Sequence, residues 1–264
     1  MNNQNLYIVG TIHVDLDGRE RLDTLLDGLS PGIIALEMSK DRDNLDRYRK
    51  SPEEEEKEIN SMIDKSGLNL NPKQRATLIE SEHRINSIIG YELKSPKNYI
   101  NRNKDSRLEY IDISVFTNGR EEFGKGCVEV VEDMLKQLAG EPELAKLLLE
   151  RLDKGIDAYV EYLREDVQQA YQNAEAIAES FERIIDDSKI FEEMTEDLPP
   201  RAVQTLKQIY NPARDEAMSK RVRELYNGKD KLVTIVGLGH LYKLKQKVED
   251  LEPVVMTLAE YNSI

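Results

Sequence analysis

With a single cysteine, Cys127, the chain cannot close an internal disulfide, and a reducing compartment suits it. Cys127 precedes Val128-Glu129-Val130-Val131 in a segment of helical pattern, where a thiol reads as packing rather than as a nucleophile. No apolar run approaches the ~20 residues needed to cross a bilayer, so no membrane span is expected. Met1-Asn2-Asn3-Gln4-Asn5 lacks the basic region and apolar core of a signal peptide, which makes the cytoplasm the expected location. Cationic charge is also short: 37 Lys and Arg face 51 Asp and Glu, a formal net charge of −14. Nucleic-acid binding needs the opposite balance, and docking on an anionic membrane is no better served. Such an acidic composition reads first as a solvated surface.

Histidine is scarce too, with three copies in 264 residues, yet two of them close the same hexad. Ile8-Val9-Gly10-Thr11-Ile12-His13 and Ile235-Val236-Gly237-Leu238-Gly239-His240 stand near opposite ends of the chain. Each reads as a short apolar strand, a glycine that lets the backbone turn, and an imidazole just past the strand end. In an α/β sheet that edge is where sites are built.

The neighbouring pattern supports such a sheet. Residues 6–9 form a strand candidate. A helix follows with Leu22, Leu25, Leu26 and Leu29 on one face and Asp15 or Asp17 as its cap. Ser30-Pro31-Gly32 breaks it, and Ile33-Ile34-Ala35-Leu36 reads as a second buried strand. A βαβ unit of this kind has parallel strands whose carboxyl ends share an edge, so His13 and Glu37 emerge together. A second unit runs from the strand Leu232 to Val236, through a helix from Leu241 to Leu251, to a strand from Pro253 to Leu258. Leu108-Glu109-Tyr110-Ile111 adds a strand ending at Asp112. Four strand ends thus carry His13, Glu37, Asp112 and His240, a metal or acid–base constellation.

Helix fills the rest. The polar stretch 40–106 predicts helices around 41–49, 53–65 and 72–88, with Glu53 to Glu56 suited to a helix N-terminus. His83 lies in the last of these and reads as a surface residue. From about 126 to 226, apolar residues Ile156, Val160, Leu163, Val167, Ala170, Ala174, Ile177, Phe181 and Ile184 recur with a 3.5 period, the pattern of a coiled-coil seam or long antiparallel hairpin. Pro199-Pro200 separates it from another amphipathic helix. The expected architecture is α/β: a mostly parallel mixed sheet flanked by helices, one domain over residues 1–264, with a coiled-coil-like helical subdomain inserted at 120–228. Internal packing of that subdomain is favoured over a homodimer seam.

Taken together, the first stretch, with Gly10-Thr11-Ile12-His13 followed by a strand ending in Glu37 and then Arg42, resembles the opening of the TraB/PrgY family, related to the Tiki proteins. Gly237-Leu238-Gly239-His240 is similar to that family's second Gly-x-x-His block, and Arg214-Asp215-Glu216-Ala217-Met218 to its Arg-Asp-x-x-Met helix. Gly90-Tyr91-Glu92 and Asp112 resemble its middle blocks, although Ile113 stands where relatives usually carry arginine. The resemblance implies an EreA/ChaN-like α/β superfamily. It also implies, through the Tiki branch, divalent-metal-dependent peptidase activity using the two histidines and acidic residues. The PrgY branch is associated with reducing the activity of a secreted peptide pheromone.

Elementary chemistry runs alongside. Two neutral imidazoles and one carboxylate form an incomplete ligand shell that leaves positions for water and substrate. His13, Glu37 and His240 are therefore the expected metal ligands, with Glu92 or Asp112 as general base or extra ligand. Arg214 and Arg42 would pair with carboxylates or hold a peptide carboxylate. A mixed N/O set without thiolate suits manganese, cobalt, iron or zinc alike. The leading expectation is a metal-dependent hydrolase acting on a peptide or small molecule. Its alternatives are a metal-free hydrolase using a histidine base and a non-catalytic protein that sequesters a peptide.

Overall fold

A computed structural model describes residues 5–43, 50–116 and 119–261. Five short strands build its sheet: β1 (Leu6–Thr11), β2 (Ile33–Leu36), β3 (Arg107–Tyr110), β4 (Leu232–Gly237) and β5 (Val254–Thr257). Their order is β3-β2-β4-β1-β5, and every pairing is parallel. The expected mixed sheet is thus wholly parallel among the described residues. The reason is that helices, not hairpin turns, join successive strands, and only a long crossover returns the chain in the same direction.

The last βαβ unit interlocks with the first. β4 lies between β1 and β2, pairing Leu6 with Leu232 through Thr11 with Gly237 on one side, and Ile33 with Leu232 through Leu36 with Ile235 on the other. A central parallel strand is covered on both faces, and Leu232 to Val236 are all buried. At the carboxyl edge the Thr11 hydroxyl donates to the Val236 carbonyl at 3.2 Å. The ends of β1 and β4 are thereby tied together, although more than 220 residues separate them.

Helix α1 (Gly18–Leu29) connects β1 to β2 and buries Leu22, Leu25, Leu26 and Leu29, the face predicted from spacing. Between β2 and β3 run α2 (Pro52–Ser66), α3 (Pro72–Ile88) and α4 (Tyr91–Arg102). Ser51 with Glu54, and Asn71 with Gln74, form reciprocal capping boxes, and a proline opens each of the first two helices. The helix expected over 41–49 is represented by a short 3-10 turn, Lys40–Arg42; positions 44–49 lie outside the described residues.

Among the described residues seven helices separate β3 from β4: α5 (Arg120–Gly140), α6 (Pro142–Asp153), α7 (Ile156–Gln172), α8 (Ala174–Asp186), α9 (Ser188–Thr195), α10 (Pro200–Ile209) and α11 (Ala213–Leu225). The 3.5 period, read as a coiled-coil seam or a long antiparallel hairpin, does not run through one unbroken helix. Asn173, at φ −103° and ψ 22°, ends α7 and begins α8, so the apolar stripe is divided between two helices. Val167, Tyr171 and Ala174 are buried in the same core as the sheet, whereas Ile177 is 37% exposed. The periodicity therefore records burial against the sheet and neighbouring helices. Helix α12 (Leu238–Lys247) follows β4 directly and packs on α8, β1 and α11. No described helix is long and apolar enough to cross a membrane.

Candidate active site

The carboxyl ends of β1, β2 and β4 bring the predicted residues together around Glu37. This side chain leaves the end of β2 and points along the edge, where the backbone N–H of Gly237 donates to its Oε2 at 2.6 Å. Arg214, from the first turn of α11, donates through Nη2 to its Oε1 at 2.6 Å. His240 stands in the first turn of α12, rather than in a loop, with Nε2 3.4 Å from the same Oε1. Burial by itself raises the Glu37 pKa, but the charges of His240, Arg214 and His13 and the Gly237 N–H outweigh it, so the carboxyl is held at about 2. Glu37 is ionised at neutral pH.

Each Gly-x-x-His histidine has its own carboxylate. His240 Nδ1 lies 2.6 Å from Asp215 Oδ1, and both side chains are buried. His13 Nδ1 lies 2.6 Å from Oε1 of Glu92, on the first turn of α4. With a carboxyl oxygen at each Nδ1, a neutral imidazole donates from that nitrogen and its Nε2 is the basic atom. The two differ in access: the His13 side chain is 68% exposed and that of His240 4%. Burial lowers the proton affinity of His240, but Glu37 and Asp215 overcome it, against the Arg214 charge, and raise the pKa above its ordinary value.

Arg214 is the centre of a second set of contacts. Its Nε and Nη2 grip Asp112 at 3.0 and 2.7 Å, Nη2 also reaches Glu37, and Nη1 donates to the Ile209 carbonyl at 2.9 Å. Its forked donors are thus used to hold protein carboxylates in place. Asp112, just beyond β3, takes that grip and accepts its own chain's Ile113 N–H at 2.8 Å. The side chain of Arg42 lies outside the described residues. His83 on α3, expected at the surface, is half-buried and lies 3.4 Å from Glu55 on α2, apart from this cluster.

Asp215 was not singled out by sequence reasoning. Its signal was adjacency: consecutive helical residues point about 100° apart, so Arg214 faces Glu37 and Asp112 while Asp215 faces His240. Phe181, on α8, was noted only as part of the apolar stripe. Its ring packs edge-on against His240 with centroids 5.0 Å apart and an interplanar angle of 75°.

Four carboxylates, Glu37, Glu92, Asp112 and Asp215, thus surround two imidazoles and one guanidinium, a surplus of negative charge that a cation or protons would offset. The donor set of two imidazole nitrogens and one carboxylate is right in kind for a divalent ion. Gly237 leaves space there: a Cβ would stand 3.5 Å from Glu37 Oε2 and 4.0 Å from His13 Nε2. Yet among the described residues no group of three His, Cys, Asp or Glu side chains stands close enough to hold a metal ion as placed.

Fold and site together define an α/β protein with a parallel sheet, whose carboxyl edge carries two histidines, His13 in the turn after β1 and His240 in the first turn of α12. The model of the TraB/PrgY/gumN family matches residues 1–252, and the chain belongs to that family. No curated protein and no solved structure matches it.

Proposed function

We propose that this protein is a hydrolase, acting on a peptide or related acyl bond at the carboxyl edge of the sheet, with a divalent ion held by His13, Glu37 and His240. One observation carries the reading: both imidazoles have Nδ1 engaged by a buried carboxylate at 2.6 Å, and both bear on Glu37. Carboxylate–histidine pairs of this kind fix the tautomer and ring orientation of metal-binding histidines and raise their basicity. The ion would supply Lewis-acid polarisation of the scissile carbonyl and of the attacking water.

The chain's own residues account for the remaining requirements. Glu92 and Asp215 hold the two rings through Nδ1 and so fix which way each Nε2 faces. Glu37, ionised at neutral pH, accepts the Gly237 N–H and the Arg214 guanidinium and faces both histidines. Arg214 balances part of the surplus negative charge and locks Glu37 and Asp112 in one geometry. His13, the accessible imidazole, is the group a substrate entering from solvent meets first. The ends of β1 and β4 form the floor, with Gly237 keeping it clear of side chain.

A metal-free reading has one observation in its favour, the raised pKa of His240 between Glu37 and Asp215. A protonated His240 offsets some of the negative charge and can donate to a leaving group while His13 acts as base. Metal analysis of protein purified without chelator, with cleavage of a peptide library in manganese, cobalt, zinc or chelator, separates the two. The metal reading expects a stoichiometric ion and loss of cleavage in chelator. Cleavage that persists in metal-free protein favours the second, and absence of cleavage under every condition removes both.

A further inference from the structure

Ile12, the residue preceding His13, is held through both its N–H and its carbonyl by tyrosine hydroxyls. The Ile12 N–H donates to Tyr171 Oη at 3.3 Å, and the Tyr91 hydroxyl donates to the Ile12 carbonyl at 3.1 Å. Tyr171 belongs to α7, 159 residues further along the chain, and is 4% exposed. Its own proton goes to Oδ2 of Asp15, at 3.0 Å. Asp15 is itself 2% exposed and fully engaged: Arg21 Nη1 donates to the same oxygen at 3.1 Å, and the Asp17 N–H to Oδ1 at 3.0 Å. The Asp15 N–H closes the turn by donating to the Ile12 carbonyl at 2.9 Å. The loop carrying His13 is therefore bracketed: Ile12 on one side and Asp15 on the other are bonded to one phenol.

This arrangement exceeds what stability of a loop requires. A two-residue excursion beyond β1 could be satisfied by water, since His13 and Val14 are both exposed. Instead a buried hydroxyl from the helical segment reaches under it, while Tyr91 joins the same carbonyl to α4, whose next residue, Glu92, holds His13 Nδ1. We propose that Tyr171 is a positioning residue for His13, and that α7 is by this contact part of the site rather than scaffold alone. The phenol sets the course of the backbone, Tyr91 and Glu92 set the ring, and Nε2 is thereby aimed at the gap beside Gly237. This proposal rests on the reading that His13 works in this site, but it concerns where the ring is held and can be tested without turnover.

With three histidines in the chain, side-chain NMR of histidine-labelled full-length protein reads each ring separately, and His83 serves as an internal reference. Tyr171→Phe retains the aromatic ring and removes only the hydroxyl. The expected result is a shift of the His13 ring signals and roughly three- to tenfold faster exchange of its Nδ1 proton with water, the size of one lost buried hydrogen bond. His240 and His83 keep their wild-type signals. Asp15→Asn, which retains an acceptor oxygen for the phenol, recovers most of the wild-type His13 spectrum and covers the case in which Tyr171→Phe does not fold. Unchanged His13 signals in folded Tyr171→Phe would overturn the proposal. So would equal disturbance of all three histidines in both variants, because the hydroxyl then only supports the fold. A wild-type protein that cleaves nothing removes the hydrolase reading and leaves this spectroscopic result standing.

Discussion

His13 and His240 share a motif but not a surrounding, and their substitutions separate accordingly. Replacing His240 by alanine leaves buried Asp215 without its partner, and Asp215 Oδ2 already has no hydrogen-bond partner. Breaking a buried pair from one side costs about 3 kcal/mol, visible as an early denaturation midpoint. His13→Ala also takes the partner from a buried carboxylate, Glu92, but opens it to the solvent that already reaches His13, and so costs less than His240→Ala. Both lower cleavage by at least ~100-fold if the rings act in the reaction; wild-type rates in folded variants would remove the site. Glu37 adds a pH dependence. Its folded pKa, about 2, lies below the ordinary 4.5, so its contribution is present above pH 4.5 and is lost as pH falls toward 2. The stability gap between wild type and Glu37→Gln therefore narrows over that range in denaturant titrations, and a constant gap would contradict the assignment. His240 has the opposite sign: its raised pKa makes its support present below pH 6.5 and lost as pH climbs through the raised value.

Two glycines in the strand–helix turn after β4 do different work. At Gly237 the backbone is ordinary, φ −64° and ψ 152°, and a Cβ would make only van der Waals contact with Glu37 and His13. Gly237→Ala is therefore expected to melt within a few degrees of wild type while losing at least ~10-fold in activity, because the methyl group fills the gap between the reacting groups. At Gly239 a Cβ would stand 2.8 Å from the Phe181 ring. Gly239→Ala pushes α8 away from α12 and costs about 1–3 kcal/mol by overpacking, measurable in the same melts. Equal melting of the two variants would show that the turn tolerates both. The strands and α1 to α3 were legible because period and caps report local burial: Leu22, Leu25, Leu26 and Leu29 turn inward, and Ser51 and Asn71 open helices as their types suggest. The 3.5 period over 156–184 was legible as apolar spacing only. A stripe does not name its partner, and the break at Asn173 carries no proline or glycine to announce it.

The molecule as a whole places a surplus of carboxylates at one sheet edge, so a bound cation should stabilise it by mass action. In manganese, cobalt or zinc at about 100 times the dissociation constant, one site adds about 2.7 kcal/mol, a rise of several degrees in melting temperature. That rise should vanish in Glu37→Gln and in His13→Ala; an equal rise in the variants would locate the ion elsewhere among the many surface acids. Sequence by itself determined the α/β class, the positions of the strands and the place of the two histidines just past strand ends, because backbone propensity, apolar period and glycine placement act over neighbouring residues. It also marked Glu37 as sharing their edge, since a βαβ unit has one geometry. The tertiary structure alone decided that β4 inserts between β1 and β2, that Asp215 and Glu92 each take an imidazole, and that Tyr171 reaches the His13 loop from 159 residues away. Those contacts join groups with no fixed sequence offset, and only the packing of the whole chain brings them within hydrogen-bonding distance.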